Sequence, residues 1–435
     1  MLVVPDHRQS GLAFTCYGVL VAAASVIAYY CHKKVDYLFI DEFFHIRQAQ
    51  TYLSGNFKEW DDKITTPPGL YWLGYGFIKL FNLKDSITNW RAVNLFGGLL
   101  VFPIVLWFFP QRQWWIATIV GQPLIYTYYF LFYTDVWSTI FVVAALVASM
   151  VPTGPRLLLG GILGFISLWF RQTNILWVAF VLSIALDYHA RGKFGWNRLK
   201  PFLSGLLSVK VVPFYATFAA FAGFVWQNGG ITLGDKSNHQ VSFHSAQVLY
   251  CLLFICAFTW PAWLSPKLAR DYLRAWTRYY GLSAVLQVAI IYGLVKIIEY
   301  GTTVHPFLVA DNRHYSFYIY RKLFKRAGIW MAPVYHACGW VVVNQLLQAR
   351  RLSWITTSTF FGAMVLTLVP SPLFEPRYYI VPVVVFRMFI NSAPGKWRNL
   401  VEFSYLMAII TFVFAVFFGY EFPWDTEYHP QRIIW

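Results

Sequence analysis

The stretch from Asp36 to Trp72 carries Asp36, Asp41, Glu42, Glu59, Asp61 and Asp62, six of the chain's 19 carboxylates. Acids gathered beside a membrane in an otherwise basic chain are costly to place and commonly serve function. Asp41-Glu42 directly follows the first apolar run. One of the two could act as a general base where a lipid-borne substrate meets water; burial would raise its pKa and a nearby Arg or His would lower it. The alternative is an acidic cap on the helix that follows. Further on, Trp60-Asp61-Asp62-Lys63-Ile64-Thr65-Thr66-Pro67-Pro68-Gly69-Leu70-Tyr71 offers carboxylates to hydrogen-bond a sugar, with Trp60, Tyr71 or Trp72 to stack on it. A plain surface turn with Asp caps accounts for it equally well.

Cationic groups recur at three later places. Arg313-His314 could grip a phosphate, because a guanidinium fork matches phosphate oxygens. Arg171 in Arg171-Gln172-Thr173-Asn174 and Arg377 in Glu375-Pro376-Arg377 sit at ends of apolar runs, where such clusters usually anchor helices. The basic run Tyr320–Arg326 reads as headgroup contact. The glycine-rich Asn228–His239 segment lacks GxxxxGK[ST] and is no P-loop. It reads as a tight turn or, through Asp235, an acceptor-sugar contact. The ten histidines show neither HxxxH nor HExxH, so no metal set is legible.

The elements that must position these residues are built for lipid. Of 435 residues, 58% are hydrophobic and 12% charged, against about 25% charged in soluble proteins. Aromatics reach 20%, and Trp and Tyr favour the membrane interface. Mean hydropathy is +0.50. The expected fold is an all-α polytopic membrane protein in one membrane-embedded domain over residues 1–435. A spanning helix needs roughly 20 apolar residues. Candidate spans are 11–30, 91–109, 114–132, 136–150, 157–170, 175–188, 202–226, 246–264, 281–299, 328–347, 354–370, 378–391 and 400–420, about 13 in all. Gly11–Tyr30 has no small-residue cleavage site after it and reads as a retained first helix. The five scattered cysteines form no CxxC pair.

Net charge is +16. With no basic soluble domain to hold nucleic acid, positive-inside topology and anionic lipid explain that charge. The short connectors Pro110–Gln113, Val151–Arg156, His189–Lys200, Ser265–Tyr280, Gln348–Ser353 and Ser392–Asn399, with the N-terminal tail, hold 15 Lys and Arg and only Asp6 and Asp271 as acids. They belong in the cytosol. Loops 31–90, 227–245, 300–327 and the tail from 421 carry most of the carboxylates and face the other side. Within 31–90, the FFHIRQAQTYL run has apolar residues at helical spacing, as for a surface helix, and Pro67-Pro68-Gly69 breaks the chain before Leu70–Phe81. No internal repeat is visible.

Taken in order, DEFFHIRQAQTYLSGNFKEWDDKITTPPGLY, FRQTNILW, NGGITLGDKSNH, HPFLVADNRHYSFY and EPRYYIVP resemble the dolichyl-phosphate-glucose-dependent α-1,2-glucosyltransferase family of lipid-linked oligosaccharide assembly. The resemblance runs from about residue 36 to Trp435; where the family often has one proline after the threonines, this chain has Pro67-Pro68. It implies a GT-C bundle in the endoplasmic reticulum membrane, with a helical first lumenal loop framing the active site. It also implies inverting transfer of a terminal glucose from dolichyl-phosphate-glucose to the diglucosylated dolichyl-pyrophosphate oligosaccharide, without metal or other cofactor. On that footing Asp41 is the expected base, with Glu42 and Asp61 next. Arg313, His314, Arg377 and Arg171 are the expected ligands of the donor phosphate, and His45, Trp60, Asp62, Tyr71 and Asp235 the sugar contacts. Two other readings stay open: a transferase using dolichyl-phosphate-mannose, and a non-catalytic transporter or channel partner. The latter predicts more ionisable residues inside the spans than Lys210, Glu299, Arg387 and Glu402.

Overall fold

The computed structural model describes residues 7–109, 116–236, 242–349, 352–390, 396–424 and 427–435. The connector Pro110–Gln113 lies outside them, as do parts of the connectors at 348–353 and 392–399 and Ser237–His239 of the glycine-rich segment. The described residues are helical, joined by turns and two isolated β-bridges. The protein is an all-α, multi-pass membrane protein. Among the described residues, six helices are long and apolar enough to cross a bilayer: Gly11–Lys34, Ile87–Trp107, Val209–Asn228, Ala246–Trp263, Leu282–Tyr300 and Trp397–Gly419. Four shorter apolar helices accompany them, Asp135–Ser149, Gly154–Leu168, Asn174–Tyr188 and Trp354–Leu368. In Leu282–Tyr300 only Gln287 is buried, so its apolar surface is left for lipid.

The chain divides into two compact units. The first comprises residues 1–239 with 358–363, and the second 240–357 with 364–435.

In the first unit, helix α1 (His7–Lys34) enters the acidic loop, which holds α2 (Glu42–Leu53) and α3 (Gly69–Leu80) before α4 (Ile87–Phe96) begins the next long helix. The helix expected over the FFHIRQAQTYL run is present as α2, and the apolar stretch after the Pro67-Pro68-Gly69 break forms α3. Where a continuous span was expected over 114–132, the chain forms two short helices, Ile116–Val120 and Pro123–Thr127, and a 3-10 turn at Tyr128–Phe130. Pro123 cannot donate to a helical ladder, and the Gln122 side chain instead accepts the Ile125 N–H at 3.1 Å. Irregular backbone at membrane depth is tolerated only inside protein. Every residue from Ala117 to Ile140 is buried, and the Asn94 amide of α4 donates to the Leu131 and Tyr133 carbonyls at 2.6 and 2.7 Å. The expected span 202–226 is likewise broken. Leu199–Gly205 ends before an extended Ser208, and Val212–Asn228 restarts with Pro213 in its first turn, where the missing N–H costs nothing.

In the second unit, Ala246–Trp263 packs against Ala332–Gln348, Ile380–Phe389 and Lys396–Gly419. The helix expected over 378–391 is ten residues long and follows the 3-10 turn Pro376–Tyr379. Arg387 and Glu402 pair inside this unit at 2.6 Å, with 3% and 1% of their side chains exposed.

Candidate active site

The neighbouring acids Asp41 and Glu42 have different surroundings. The Glu42 carboxylate is fully buried and surrounded by donors: the Arg91 Nε and Nη2 at 2.9 and 2.6 Å, the Phe39 N–H at 3.1 Å and the Phe132 N–H at 2.9 Å. Arg91 also donates to the Val35 and Tyr37 carbonyls, at 2.5 and 3.0 Å. One ion pair thus fastens the entry of the acidic loop to α4 and to the irregular turn at residues 131–133. With four donors already on its two oxygens, Glu42 is a structural anchor. This distinguishes it from Asp41, beside which it was a candidate base.

Asp41 takes the N-cap position of α2, yet its side chain makes no capping bond. Ile40 before it is held in the left-handed region at φ 50, a conformation that costs a β-branched residue on the order of 1 kcal/mol or more. The Tyr133 hydroxyl receives the Asp41 N–H at 3.1 Å. The side chain is partly exposed.

Downstream on α2, the buried residues Glu42, His45, Gln48 and Tyr52 recur at three- and four-residue spacing along one face. Gln48 holds the second acidic knot at both ends, donating through Nε2 to the Glu59 carbonyl at 2.7 Å and accepting the Asp61 N–H at 2.9 Å. The Asp61 carboxylate in turn accepts the Lys63 N–H at 2.9 Å. His45 Nδ1 lies 2.8 Å from the Tyr71 hydroxyl, and its ring packs against Tyr133.

Tyr71 shows that the two knots converge. Burial, joined by the charges of Tyr52, Asp61 and Asp41, holds its hydroxyl far above the ordinary tyrosine pKa, so it stays protonated. The charges of Asp41 and Asp61, 20 residues apart in sequence, thus both act on one buried phenol. Tyr71 is wholly buried and offers no open ring face to a sugar, unlike the stacking role expected for it. Trp60, edge-on to Tyr71 at 5.8 Å and partly exposed, keeps that possibility, whereas Trp72 stacks on Phe57 at 4.8 Å.

The Arg171 segment closes the same turn from behind. Gln172 donates to the Thr65 carbonyl at 2.8 Å, and the Gly69 N–H donates to the Trp169 carbonyl at 2.8 Å. Arg171 itself pairs with the buried Asp135 at 2.7 Å. From another direction Gly234, at φ +52, lies so close to the turn that an added Cβ would stand 2.3 Å from the Ile64 carbonyl oxygen and 2.4 Å from that of Asp62. The glycine-rich segment is thereby docked on the second knot. Asp235 lies next to that contact, partly exposed, and the Asp62 side chain is exposed. Gly234→Ala combines left-handed strain with a backbone clash and is expected to destabilise by roughly 2–4 kcal/mol. A fall in melting temperature of the purified protein checks this; an unchanged melt would mean the two segments are not in register.

In the second unit, Arg313 forks onto Asp311 with Nε–Oδ1 at 2.9 Å and Nη2–Oδ2 at 2.7 Å, and lies over Trp424 at 4.2 Å. Burial alone would raise the Asp311 carboxyl, but the Arg313 hydrogen bonds and the His314 and Arg313 charges outweigh it and hold it below the ordinary range. His314 Nδ1 meets the Trp435 carbonyl at 3.1 Å. Arg377 pairs with Glu375. In the basic run, Arg321, Lys322, Lys325 and Arg326 are exposed, while Phe324 stacks on Tyr250 at 4.2 Å, as suits a segment at a headgroup layer. Each arginine expected on a phosphate thus has a carboxylate partner that fixes its plane. Among the described residues, no three His, Cys, Asp or Glu side chains group so as to hold a metal ion.

Sequence reasoning missed Gln48, Tyr133 and Arg91. The first was legible as a polar residue on the apolar face of α2; Tyr133 lies far from the loop in sequence, and Arg91, directly after the loop, reads only as the start of the next apolar run.

Acids gathered around one short helix of a multi-pass helical scaffold are the make-up of a membrane-embedded transferase. The chain belongs to the DIE2/ALG10 family, whose sequence model matches residues 35–388. It is 40% identical over 433 residues to a protein of Debaryomyces hansenii, covering 91% of this chain and 94% of the relative. It is also 40% identical over 405 residues to one of Candida albicans, covering 85% and 87%, and 36% identical over 457 residues to one of Kluyveromyces lactis, covering 92% and 84%. Each of these relatives is named Dol-P-Glc:Glc(2)Man(9)GlcNAc(2)-PP-Dol alpha-1,2-glucosyltransferase. No solved structure matches the chain.

Proposed function

We propose that this protein transfers the terminal α-1,2-linked glucose from dolichyl-phosphate-glucose to the diglucosylated dolichyl-pyrophosphate oligosaccharide, at the lumenal face of the endoplasmic reticulum membrane. The observation that carries the reading is the gathering of both acidic knots around α2, with the Asp41 N–H on Tyr133 and the Asp61 N–H on Gln48, in a chain whose relatives are named for this transfer.

Asp41 is the base. Its carboxylate takes the proton of the acceptor 2-hydroxyl as that oxygen bonds to the anomeric carbon, while the bond from that carbon to the phosphate oxygen breaks. The β-linked donor thus gives an α-linked product. Dolichyl phosphate departs as an already good leaving group, so no second carboxyl has to protonate it, in contrast to glycoside hydrolysis. Positive side chains stabilise the charge growing on that phosphate. Arg171 is the candidate in the first unit, and Arg313, His314 and Arg377 are the candidates in the second. With arginines in that role the reaction runs without a metal. His45 and Tyr71 form a hydrogen-bonded wall beside the acids, and Trp60, Asp62 and Asp235 are left to meet the acceptor sugar. The partners are the two dolichol-linked substrates and the bilayer, with no nucleic acid.

Donor choice tests the reading. Purified protein given the diglucosylated acceptor with labelled dolichyl-phosphate-glucose and dolichyl-phosphate-mannose in competition should transfer glucose alone. Transfer of mannose would place the protein with the mannosyl enzymes, and no transfer of either would return it to the non-catalytic reading.

A further inference from the structure

In the segment Gln431–Trp435 the residues Gln431 to Ile434 are buried and Trp435 is partly exposed, and the segment runs alongside the loop that carries Arg313 and His314. The Ile434 N–H donates to the Arg313 carbonyl at 2.8 Å, and the Tyr315 N–H donates to the Ile434 carbonyl at 2.8 Å, making a one-residue parallel bridge around His314. The Gln431 amide oxygen accepts from Arg313 Nη1 at 3.3 Å. Gln431 is itself fixed, through Nε2 to the His429 carbonyl at 2.8 Å and through its backbone to Phe422. Arg432 ties the same segment to the Phe417 carbonyl at 2.8 Å and to Glu421 at 2.6 Å. The Trp435 ring packs on Tyr315, Phe254 and Phe258.

These contacts leave defined chemistry facing outward. A guanidinium has five N–H donors. Two of those of Arg313 go to Asp311 and one to Gln431, so among the described residues two remain, on a plane set by Trp424. A carbonyl oxygen can only accept, so the bond to Trp435 requires His314 to carry a proton on Nδ1. Nε2, 3.8 Å from Asp311 Oδ2, is then the ring atom left to meet a ligand. The Arg313 side chain keeps 17% of its surface exposed and that of His314 30%, enough for an anion to reach both.

We propose that Gln431–Trp435 is a positioning element that sets the guanidinium plane of Arg313 and the tautomer of His314 to receive the phosphate of the polyprenyl-phosphate donor. This rests on the functional reading above. Ile434→Pro removes the N–H that holds the Arg313 carbonyl, Gln431→Leu removes the acceptor on Nη1, and Ile434→Val keeps both. The probe is full-length protein with dolichyl-phosphate-glucose as donor and dolichyl phosphate as competitive inhibitor. Ile434→Pro and Gln431→Leu should each raise the donor KM and the dolichyl-phosphate inhibition constant about tenfold, equivalent to about 1.4 kcal/mol of binding. In both, kcat and the acceptor KM should stay within about twofold of wild type, and Ile434→Val should match wild type. Unchanged donor constants overturn the proposal. So does a parallel rise in donor and acceptor KM with a lowered melting temperature, the signature of general disruption. Failure of the wild type to use the donor would overturn the functional reading itself, so the two failures are distinguishable.

Discussion

Replacing Asp41 by Asn should lower glucose transfer by roughly 10²–10⁴-fold, the usual range for loss of a positioned general base. Melting temperature and donor binding should stay near wild type. The substitution keeps size and shape, and the backbone anchor of this residue is its N–H on Tyr133, which the amide retains. The carboxylate makes no cap to α2, so its removal leaves the helix start intact. Asp61→Asn is the control. Its carboxylate is used in a local turn, accepting the Lys63 N–H, which an amide oxygen also accepts. Its transfer rate should fall much less. Near-normal transfer by Asp41→Asn removes that residue from the role, and a dead Asp61→Asn beside it would give the role to Asp61.

The second large effect is on folding. Breaking a buried ion pair by removing one partner costs about 3–5 kcal/mol, because the other charge is left in low dielectric. Arg91 and Glu42 are 8% and 0% exposed in their side chains, and between them they hold Val35, Tyr37, Phe39 and Phe132. Arg91→Met and Glu42→Gln should each therefore yield little folded protein, or protein with a sharply lowered melting temperature. The doubly apolar Arg91→Met/Glu42→Met should recover part of that loss, because no lone charge remains, giving a coupling measurable in a double-mutant cycle. Catalysis should follow the amount of folded protein in this series. A Glu42→Gln protein that folds normally but cannot transfer glucose would restore Glu42 as a candidate base.

Hydropathy read the long helices well. Ala246–Trp263, Leu282–Tyr300 and Trp397–Gly419 fall on the expected 246–264, 281–299 and 400–420, because a membrane-spanning helix must satisfy its own backbone and advertises this as an apolar run. The same rule explains the misreadings. Residues 117–140 are as apolar as a span, but their breaks at Gln122-Pro123 and Leu131 are satisfied by groups such as Asn94, and hydropathy has no access to such partners. The acidic loop was legible as charge out of place, and the order of its motifs carried the family. What one sequence could not divide was the labour within Asp41-Glu42. That division depends on Arg91, 49 residues further on, whose fork takes Glu42 and leaves Asp41 partly exposed beside Tyr133. Tyr71 itself looked like a sugar platform, and its burial makes it part of the wall.

The stereochemistry of the product tests the central claim most directly. Purified protein incubated with β-linked dolichyl-phosphate glucose, labelled with carbon-13 at the anomeric carbon, and with the diglucosylated acceptor should add one glucose whose anomeric resonance is that of an α-1,2 linkage. A β-linked product, or label on any other acceptor hydroxyl, would contradict single-step displacement by the acceptor 2-hydroxyl with Asp41 as base.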